Sequence, residues 1–383
     1  MSDERRLELL RVPHGSAVLD LLPALDTALA GRGPAWLPVP ADDAAETRRR
    51  ADALGVGQPV DETTALVVAT SGSTGTSKGA LLGAAALRAS ASATHARLGG
   101  PGTWLLALPA HHVAGLAVLT RSVLAGTTPS VLDPGADADA LAAALTALTG
   151  TRRYTSLVPT QLTRALAHPG ATAALAELDA VLIGGAATPP PLLAQSMDAG
   201  IPVVRTYGMS ETCGGCVYDG VALDGVRVQV QDGRVLLGGA TLASGYRGQP
   251  DHPAFSPPGW FRTDDAGELN GEVLRVTGRL DDAITTGGLT VMPAVVEAAL
   301  GTHPGVQEVT VLGVPDDTWG ERVVAFVVPT GDEPTLEQLR EHVSASLDRS
   351  AAPREVHLLD ALPLRGPGKV DRRALRAMIT PPG

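Results

Sequence analysis

Lysine is nearly absent from this chain, and the two lysines present, Lys78 and Lys369, both follow glycine-rich stretches. All other members of the chain's 30 basic residues are arginines. A lysine ammonium is compact and mobile, and a planar guanidinium does not replace it at a tight site. Lys78 ends the run "TSGSTGTSK" (70–78), and Lys369 ends "RGPGK" (365–369). We therefore treat both lysines as candidates for binding an anionic group.

The segment around Lys78 has the composition of a phosphate-binding loop but not the spacing of a P-loop. Counted from Gly72, the second glycine of a P-loop would fall at Ser77, and Lys78 is followed by Gly79 instead of serine or threonine. Its glycines still let the backbone approach a polyanion, while its hydroxyls and its lysine supply donors. The apolar residues 66–68 just before it favour a buried strand. The alternative is a flexible glycine- and serine-rich surface turn.

Composition indicates a globular protein of several domains. The chain has 383 residues, of which 44% are hydrophobic and 19% charged, so it has ample material for a core. Its length suggests about two to three domains. The formal net charge of −11 argues against nucleic acid as a main partner, because a phosphate backbone requires a basic face.

Cysteine usage and the N-terminus predict a cytoplasmic protein. The two cysteines, Cys213 and Cys216, form one "CGGC" pair, which cannot fill a four-ligand zinc site. A redox dithiol remains an alternative role for the pair. So few cysteines fit a reducing compartment, and the mixed-charge N-terminus does not resemble a signal peptide. The uncharged run 98–120 contains prolines and glycines, so we expect a strand, a turn and a helix start there instead of a membrane span.

Strand and helix patterns alternate from residue 64 to residue 211, which is typical of a parallel sheet covered by helices on both faces. Before that region, the spacing of leucines predicts a helix over residues 15–31. Ligands of such sheets bind beyond the carboxyl ends of the strands. We therefore expect the Lys78 loop, "IGGA" (183–186) and "TYGMSE" (206–211) to meet at that edge.

Beyond residue 226 the pattern changes. Alternation around Asp232-Gly233 predicts a β-hairpin and a small β layer at the end of the large domain. A compact α+β unit follows, with a helix whose Thr335 and Gln338 form a capping box. The predicted fold is α/β: a large N-terminal domain (1–278), a hinge (279–282) and a small, mobile C-terminal α+β domain (283–383).

The sequence contains six motifs that resemble, in the same order, those of the adenylate-forming superfamily of acyl-CoA synthetases, luciferases and peptide-synthetase adenylation domains. They cover some 300 residues and depart from the family pattern at Ala69, Ser77 and Asp264, where the family has Tyr, Pro and Gly. The segment before the first motif is short for the family. The motifs are "TSGSTGTSKG" (70–79), "IGGA" (183–186), "TYGMSE" (206–211), "WFRTDD" (260–265), "GRLDD" (278–282) and "LPLRGPGKVDR" (362–372).

The resemblance implies ATP and Mg²⁺ as cofactors and a catalytic role for Lys78, Glu211 and Lys369. Lys78 and its loop would hold the β and γ phosphates, Glu211 with Thr74 would hold Mg²⁺, and Lys369 would bridge the substrate carboxylate and the α-phosphate. Tyr207 would stack on adenine, and Asp265, assisted by Arg279, would bind the ribose. The residues expected at ATP or AMP are Thr70, Ser71, Gly72, Ser73, Thr74, Gly75, Lys78, Gly185, Ala186, Thr206, Tyr207, Gly208, Met209, Ser210, Asp265, Arg279 and Lys369.

The resemblance also implies a second half-reaction, in which CoA is the co-substrate. In the family the small domain rotates at a hinge aspartate, here Asp281, which would withdraw Lys369 and bring Gly287-Gly288 to the thiol tunnel. The partners expected are therefore a small-molecule carboxylate and CoA. The sequence leaves monomer and homodimer open.

Within the family, four segments are most similar to the o-succinylbenzoate–CoA ligases of menaquinone biosynthesis. These ligases place an arginine at Arg121 for the second carboxylate, and His112, Gly184 and Gly185 would line the acyl site. Arg121 is also the one Asp, Glu, Lys or Arg between Arg97 and Asp133, so a buried guanidinium there needs an anion, either a ligand carboxylate or an acidic residue elsewhere in the chain. The four segments are residues 108–126, 154–162, 178–189 and 204–212.

Three functional classes therefore compete on the sequence. The first is a CoA ligase acting on o-succinylbenzoate or on another aryl or acyl substrate. The second is an adenylating enzyme that loads the thiol of a carrier protein. The third is a non-catalytic nucleotide-binding relative, against which the retention of both lysines, Glu211 and Asp265 argues.

Overall fold

A four-stranded sheet begins the fold in the computed structural model, which describes residues 4–70, 78–365 and 369–379. Three parallel strands, in the order β1-β2-β3, are followed by β4, which runs antiparallel to β3. The strands are β1 (Leu7–Val12), β2 (Ala35–Pro40), β3 (Thr64–Ala69) and β4 (Gly79–Gly83). Helices α1 (Leu22–Leu29) and α2 (Ala44–Leu54) connect the first three strands.

The helix predicted over residues 15–31 is only partly correct. The structure has a 3₁₀ helix at Gly15–Leu21, and the α-helix α1 starts at Leu22. Pro23 explains the break, because proline has no N–H and fits an α-helix only in its first turn.

The second sheet has eleven strands and carries most of the chain. Its parallel half, in the order β9-β8-β7-β5-β6, is the predicted α/β unit. These strands are β5 (Thr103–Leu106), β6 (Ser130–Val131), β7 (Arg153–Leu157), β8 (Ala180–Ile183) and β9 (Val203–Met209). The helices before and between them are α3 (Ala84–Arg97), α4 (Val113–Ala125), α5 (Ala138–Thr146), α6 (Pro159–Leu166), α7 (Pro169–Ala176) and α8 (Pro190–Asp198).

Both faces of this parallel half are covered, as predicted. Side chains alternate along each strand: Trp104 and Leu182 pack into one core with α3 and α4, while Leu105 and Val181 pack into a second core with α5–α7. Every helix among the described residues is too short or too polar to cross a membrane.

The antiparallel half continues the same sheet through β9 and β10, so the predicted small β layer is joined to the parallel strands. The predicted hairpin is confirmed, with Asp232 and Gly233 at φ of 50° and 74° in its turn. The strands are β10 (Gly214–Tyr218), β11 (Val221–Ala222), β12 (Val226–Gln231), β13 (Arg234–Gly239), β14 (Trp260–Asn270) and β15 (Val273–Arg279).

The C-terminal unit is the expected α+β structure with its own core. Its capping box is confirmed, because Thr335 and Gln338 exchange side-chain to backbone hydrogen bonds at the start of α10. Its strands are β16 (Ile284–Thr286), β17 (Leu289–Val291), β18 (Val306–Asp316), β19 (Gly320–Pro329), β20 (Glu355–Leu358), β21 (Leu364–Arg365) and β22 (Lys369–Val370). Its helices are α9 (Pro293–Leu300), α10 (Leu336–Ser344) and α11 (Arg372–Ile379). Further 3₁₀ turns lie at Ser210–Thr212, Pro253–Phe255, Leu280–Asp282 and Arg349–Ala351.

Candidate active site

The glycine-rich segment connects β3 to β4, so it is the loop of an antiparallel hairpin. The sequence analysis did not predict strand β4, which lies between this loop and helix α3. The backbone N–H of Thr70 donates to the carbonyl of Lys78 at 2.7 Å and closes the base of the loop. The predicted phosphate ligands Ser71, Gly72, Ser73, Thr74 and Gly75 lie outside the described residues.

Lys78 directly precedes β4, which lies beside residues 244–246 of the segment between β13 and β14. Leu81 donates its backbone N–H to Gly245 and accepts one from Ser244, which holds residues 244–246 beside β4. As a result the Lys78 Nζ lies 3.1 Å from His252 Nε2 and 5.1 Å from the centroid of the Tyr246 ring.

Glu211 lies next to this group, in the 3₁₀ turn that follows β9. Its carboxylate is buried, and the Tyr246 hydroxyl donates to its Oε1 at 2.5 Å. Burial raises the pKa of Glu211, while the Tyr246 hydrogen bond and the Lys78 charge oppose that rise. Lys78 and Glu211 thus meet through Tyr246, a residue that the sequence analysis missed. The sequence feature that pointed to Tyr246 was the scarcity of aromatic residues, since Tyr246 is one of only 4 tyrosines.

A second polar group forms where β14 pairs with β15, placing Asp265 opposite Arg279. The Tyr207 hydroxyl donates to Asp265 Oδ2 at 2.6 Å, and Arg279 Nη1 lies 3.7 Å from Asp265 Oδ1. Burial is the main cause that raises the pKa of Asp265, while Tyr207 and Arg279 lower it. The structure therefore brings together three residues that the sequence placed in three separate motifs.

The ends of β8 and β9 are adjacent, as expected of parallel neighbours, and glycines allow neighbouring residues to pack closely against the backbone there. A Cβ atom on Gly184 would lie 2.3 Å from Thr206 Oγ1, and one on Gly208 would lie 2.1 Å from the Gly214 carbonyl. Gly185 has a φ of +81°, in the left-handed region that favours glycine. Ala186 follows it in the same loop. Met209 ends β9, Ser210 starts the following turn, and the Met209 N–H donates to Thr212 Oγ1 at 3.0 Å.

Arg121 is buried in α4, at 3% exposure. Its Nη2 donates to the Tyr218 hydroxyl at 3.2 Å, and its guanidinium lies 5.0 Å from the Trp104 ring. Its Nε is buried and has no hydrogen-bond partner. The ion pairs found among residues 4–70, 78–365 and 369–379 include none with Arg121, so the alternative of an acidic partner within this part of the chain finds no support.

The side of α4 that carries Arg121 packs against β10, the strand that follows the Glu211 turn. Val113, Ala117 and Arg121 are spaced by four residues, so they share one side of the helix. Gly214, three residues after Glu211, packs against Val113 and Ala117. A Cβ atom placed on Gly214 would lie 3.5 Å from the Ala117 Cβ. His112 precedes α4 as its N-cap residue, and its ring lies 4.4 Å from that of His111.

The predicted hinge residue Asp281 is bound to Arg279. Both carboxylate oxygens of Asp281 accept from that guanidinium, at 2.8 Å each, and the same guanidinium reaches Asp265. Gly287 and Gly288 form the turn between β16 and β17, with φ of +58° and +80°. The backbone of Lys369 starts β22, and its side chain lies outside the described part of the chain.

Cys213 and Cys216 are both buried free thiols. Burial raises the pKa of Cys216 to about 12 and that of Cys213 further still. Protonated, inaccessible thiols do not act as a redox pair, so the structure does not support that alternative.

Comparison with known proteins gives two family matches: "AMP-binding enzyme" over residues 17–246 and "AMP-binding enzyme C-terminal domain" over residues 295–369. The chain is 57% identical over 378 residues to a probable 2-succinylbenzoate–CoA ligase of Mycobacterium tuberculosis, covering 96% of this chain and 97% of that protein. It is 34% identical over 341 residues to a 2-succinylbenzoate–CoA ligase of Bacillus cereus, covering 82% and 70%.

Among solved structures, the chain is similar to wild-type E. coli MenE with a bound m-phenylether-linked analogue of OSB-AMS. The TM-score is 0.76 at 26% identity, covering 98% of this chain and 88% of that one. The o-succinylbenzoate CoA synthetase of Bacillus subtilis, solved with its acyl-adenylate intermediate, gives a TM-score of 0.81 at 24% identity, covering 98% and 89%. The second likeness is one of fold alone.

Proposed function

The chain belongs to the AMP-binding enzyme family, and on that premise we propose that it is an AMP-forming 2-succinylbenzoate–CoA ligase of menaquinone biosynthesis. One carboxylate of the substrate attacks the α-phosphorus of ATP, and the bond to pyrophosphate breaks to give the acyl-adenylate. The CoA sulfur then attacks the acyl carbon, AMP leaves, and the thioester forms. The observation that carries the choice of substrate is the buried Arg121, which bonds a neutral phenol and has a spare donor.

The first half-reaction requires that negative charge on ATP be offset while a second anion approaches it. The Lys78 ammonium lies beside Glu211 and Tyr246, where the β3–β4 loop would bring the phosphates. Tyr207, Asp265 and Arg279 provide the nucleoside site: an aromatic ring beside a carboxylate that accepts from ribose hydroxyls. Adenine would lie beside Gly185 and Ala186, in the loop that follows β8.

The residues present fit Mg²⁺. Groups of three or more His, Cys, Asp or Glu side chains that could hold a metal are absent from the described residues, and Mg²⁺ characteristically binds one or two carboxylates together with substrate phosphates. Glu211 would be that carboxylate, with Oε1 held by Tyr246, and Thr74 is the second ligand expected from the sequence. When bound, the ion would neutralise phosphate charge.

Tyr246→Phe is expected to weaken Mg²⁺-dependent adenylation. It removes a hydrogen bond that lowers the pKa of Glu211, so that pKa rises further and protons compete with Mg²⁺ at higher pH. We expect the Mg²⁺ requirement to rise about tenfold, the scale of one hydrogen bond to a charged group. The acid limb of the pH–rate profile of pyrophosphate release should move to higher pH.

Tyr154→Phe is a matched control, because the Tyr154 hydroxyl is buried and donates to the carbonyls of Leu98 and Gly100. It should leave both the Mg²⁺ requirement and the acid limb in place. An unchanged acid limb in Tyr246→Phe would contradict the role of Tyr246.

Arg121 would bind the ring carboxylate of the substrate, while the succinyl carboxylate is presented to ATP. A guanidinium can match a carboxylate with two parallel hydrogen bonds, and Arg121 Nε is a buried donor without a partner. Because α4 packs against β10, which follows the turn that carries Glu211, Arg121 would hold this carboxylate on the acyl side of the nucleotide site. His112, at the start of α4, would line the same acyl site with Gly184 and Gly185.

Arg121→Leu tests this substrate assignment. We expect KM for 2-succinylbenzoate to rise by about 10²-fold, the scale of 2–3 kcal/mol for a lost charge-assisted contact, with ATP binding intact. An analogue without the ring carboxylate should be a poor substrate that hardly distinguishes the variant from the wild type. Steady-state pyrophosphate release measures both.

Arg97→Leu is the control. Arg97 also contacts Tyr218, because its Nη2 donates to the Tyr218 backbone carbonyl at 3.3 Å, but Arg97 is not buried. It should leave KM for 2-succinylbenzoate unchanged. If Arg121→Leu handles this substrate as well as the wild type, Arg121 is structural. Measuring pyrophosphate release with and without CoA separates the ligase from an enzyme that loads a carrier protein.

The domain arrangement follows the same proposal. The eleven-stranded sheet ends at Arg279 and the next sheet starts at Ile284, which supports a hinge at residues 279–282 between a large domain (1–278) and a small one (283–383). ATP, CoA and two reduced thiols all suit the cytoplasm, where we place the enzyme.

A further inference from the structure

His252 lies outside every motif used so far, yet it contacts two residues of the phosphate end of the site. Its Nε2 is 3.1 Å from Lys78 Nζ, and its ring meets the Tyr246 ring edge-on, with centroids 4.8 Å apart. The Tyr246 hydroxyl in turn holds Glu211. His252 therefore contacts Lys78 directly and is linked to the Glu211 carboxylate through Tyr246.

The hydrogen bonds of the His252 ring define which nitrogen carries its proton. The backbone N–H of Ala254 donates to Nδ1 at 3.2 Å, so Nδ1 is an acceptor and has no proton. A neutral imidazole has one donor and one acceptor nitrogen, so Nε2 carries the N–H. An ammonium has donors only. The Lys78–His252 contact thus sets two donors side by side and is not a satisfied hydrogen bond.

Two adjacent donors require an acceptor, and the described side chains nearby do not supply one. Glu211 Oε1 accepts from Tyr246. Asp264 is the carboxylate that acts on His252 electrostatically, and it accepts a hydrogen bond from Arg234 at 3.2 Å and lies 3.7 Å from Arg279. A phosphate oxygen of a ligand fits this position, because it can accept from two donors at once.

We propose that the Nε2–H of His252 is a second phosphate donor, which binds the same terminal phosphate group of ATP, and of the pyrophosphate product, as Lys78. This inference rests on the proposed function, because it assumes that the Lys78 end of the site takes phosphates. It adds a ligand residue from the loop after β13, far in sequence from the glycine-rich segment.

A neutral imidazole suits this position. Burial, followed by the Lys78 charge, lowers the pKa of His252, and Asp264 only partly opposes that effect. His252 therefore donates one hydrogen bond without adding a second full charge beside Lys78.

Calorimetric titration of the full chain with ATP, pyrophosphate and AMP tests the proposal, because AMP lacks the terminal phosphates. His252→Ala should weaken ATP and pyrophosphate binding about tenfold, the scale of one donor to a charged acceptor, and leave AMP binding within about twofold. His252→Gln keeps an N–H₂ donor and should recover part of the affinity. His303→Ala is the matched control, because His303 Nδ1 also accepts a backbone N–H two residues on, from Gly305 at 3.1 Å.

Equal weakening of ATP and AMP in His252→Ala would overturn the proposal, because it would mean that His252 only supports the fold. Unchanged ATP and pyrophosphate binding would overturn it as well. If the wild type binds ATP but does not turn over 2-succinylbenzoate, the proposed function fails while the comparison of ATP with AMP still decides the role of His252.

Discussion

Lys369→Ala is expected to slow acyl-adenylate formation by about 10²–10³-fold, the scale for losing one preorganised charge-stabilising donor. The family resemblance implies that its ammonium bridges the attacking carboxylate and the α-phosphate, two anions that repel each other until they react. Conversion of pre-made acyl-adenylate and CoA to the thioester should stay near the normal rate, because that step has no incoming carboxylate. Pyrophosphate release and thioester formation, measured separately, give the two rates.

Arg373→Ala provides the control for Lys369→Ala. Arg373 is an exposed cation on α11, four residues further along the same domain, so its loss removes a positive charge without touching the proposed role. It should leave both half-reactions unchanged. Equal losses in the two half-reactions of Lys369→Ala would contradict a role confined to adenylation.

The elements that the sequence predicts well are those whose signal is local. Alternating strands and helices predicted the parallel half of the large sheet, the Asp232-Gly233 pair predicted a hairpin turn, and Thr335 with Gln338 predicted a helix start. Each of these depends on neighbours within a few residues. The change from the 3₁₀ helix to α1 also had a local signal, Pro23. The leucine spacing instead suggested one continuous helix.

Strand β4 shows what local patterns miss. Its sequence "GALLG" has two glycines and no β-branched residue, which is a weak strand signal. It is a strand because β3 pairs with it on one side and residues 244–246 lie on the other. Gly79 is required by packing, since a Cβ there would lie 2.7 Å from Val67 Cγ1.

The site was predictable to the extent that it consists of motifs. The pairing of β14 with β15 brings Arg279 to Asp265, and the parallel ends of β8 and β9 bring the glycines together. Tyr246 and His252 were not predictable, because their roles depend on contacts with Lys78 across more than 160 residues of chain. The choice between a ligand and an acidic residue as the partner of Arg121 likewise required the contacts around α4.

Asp281→Pro is expected to preserve adenylation and to slow thioester formation by more than about tenfold, or about 1.4 kcal/mol in the barrier. Proline fixes φ, and a hinge works by changing a backbone dihedral. The hydrogen bond of the turn Leu280–Asp282 runs from the Ala283 N–H to the Leu280 carbonyl, so a proline at position 281 does not remove it. The substitution does remove the carboxylate that binds Arg279, so its effect on the backbone needs a separate control.

Asp281→Ala is that control, because it loses the same two hydrogen bonds to Arg279 but keeps the backbone free to rotate. The freed guanidinium stays within reach of Asp265 and Asp264, so adenylation should hold in both variants. If the hinge lies at 281, only the proline variant loses thioester formation, as measured from pre-made acyl-adenylate and CoA. Equal losses in both variants would instead assign the effect to the Arg279–Asp281 pair. Normal rates of both half-reactions in Asp281→Pro would place the hinge elsewhere. Lost adenylation with intact thioester formation would keep the hinge at 281, but it would mean that the proline fixes the domains in the orientation used for thioester formation.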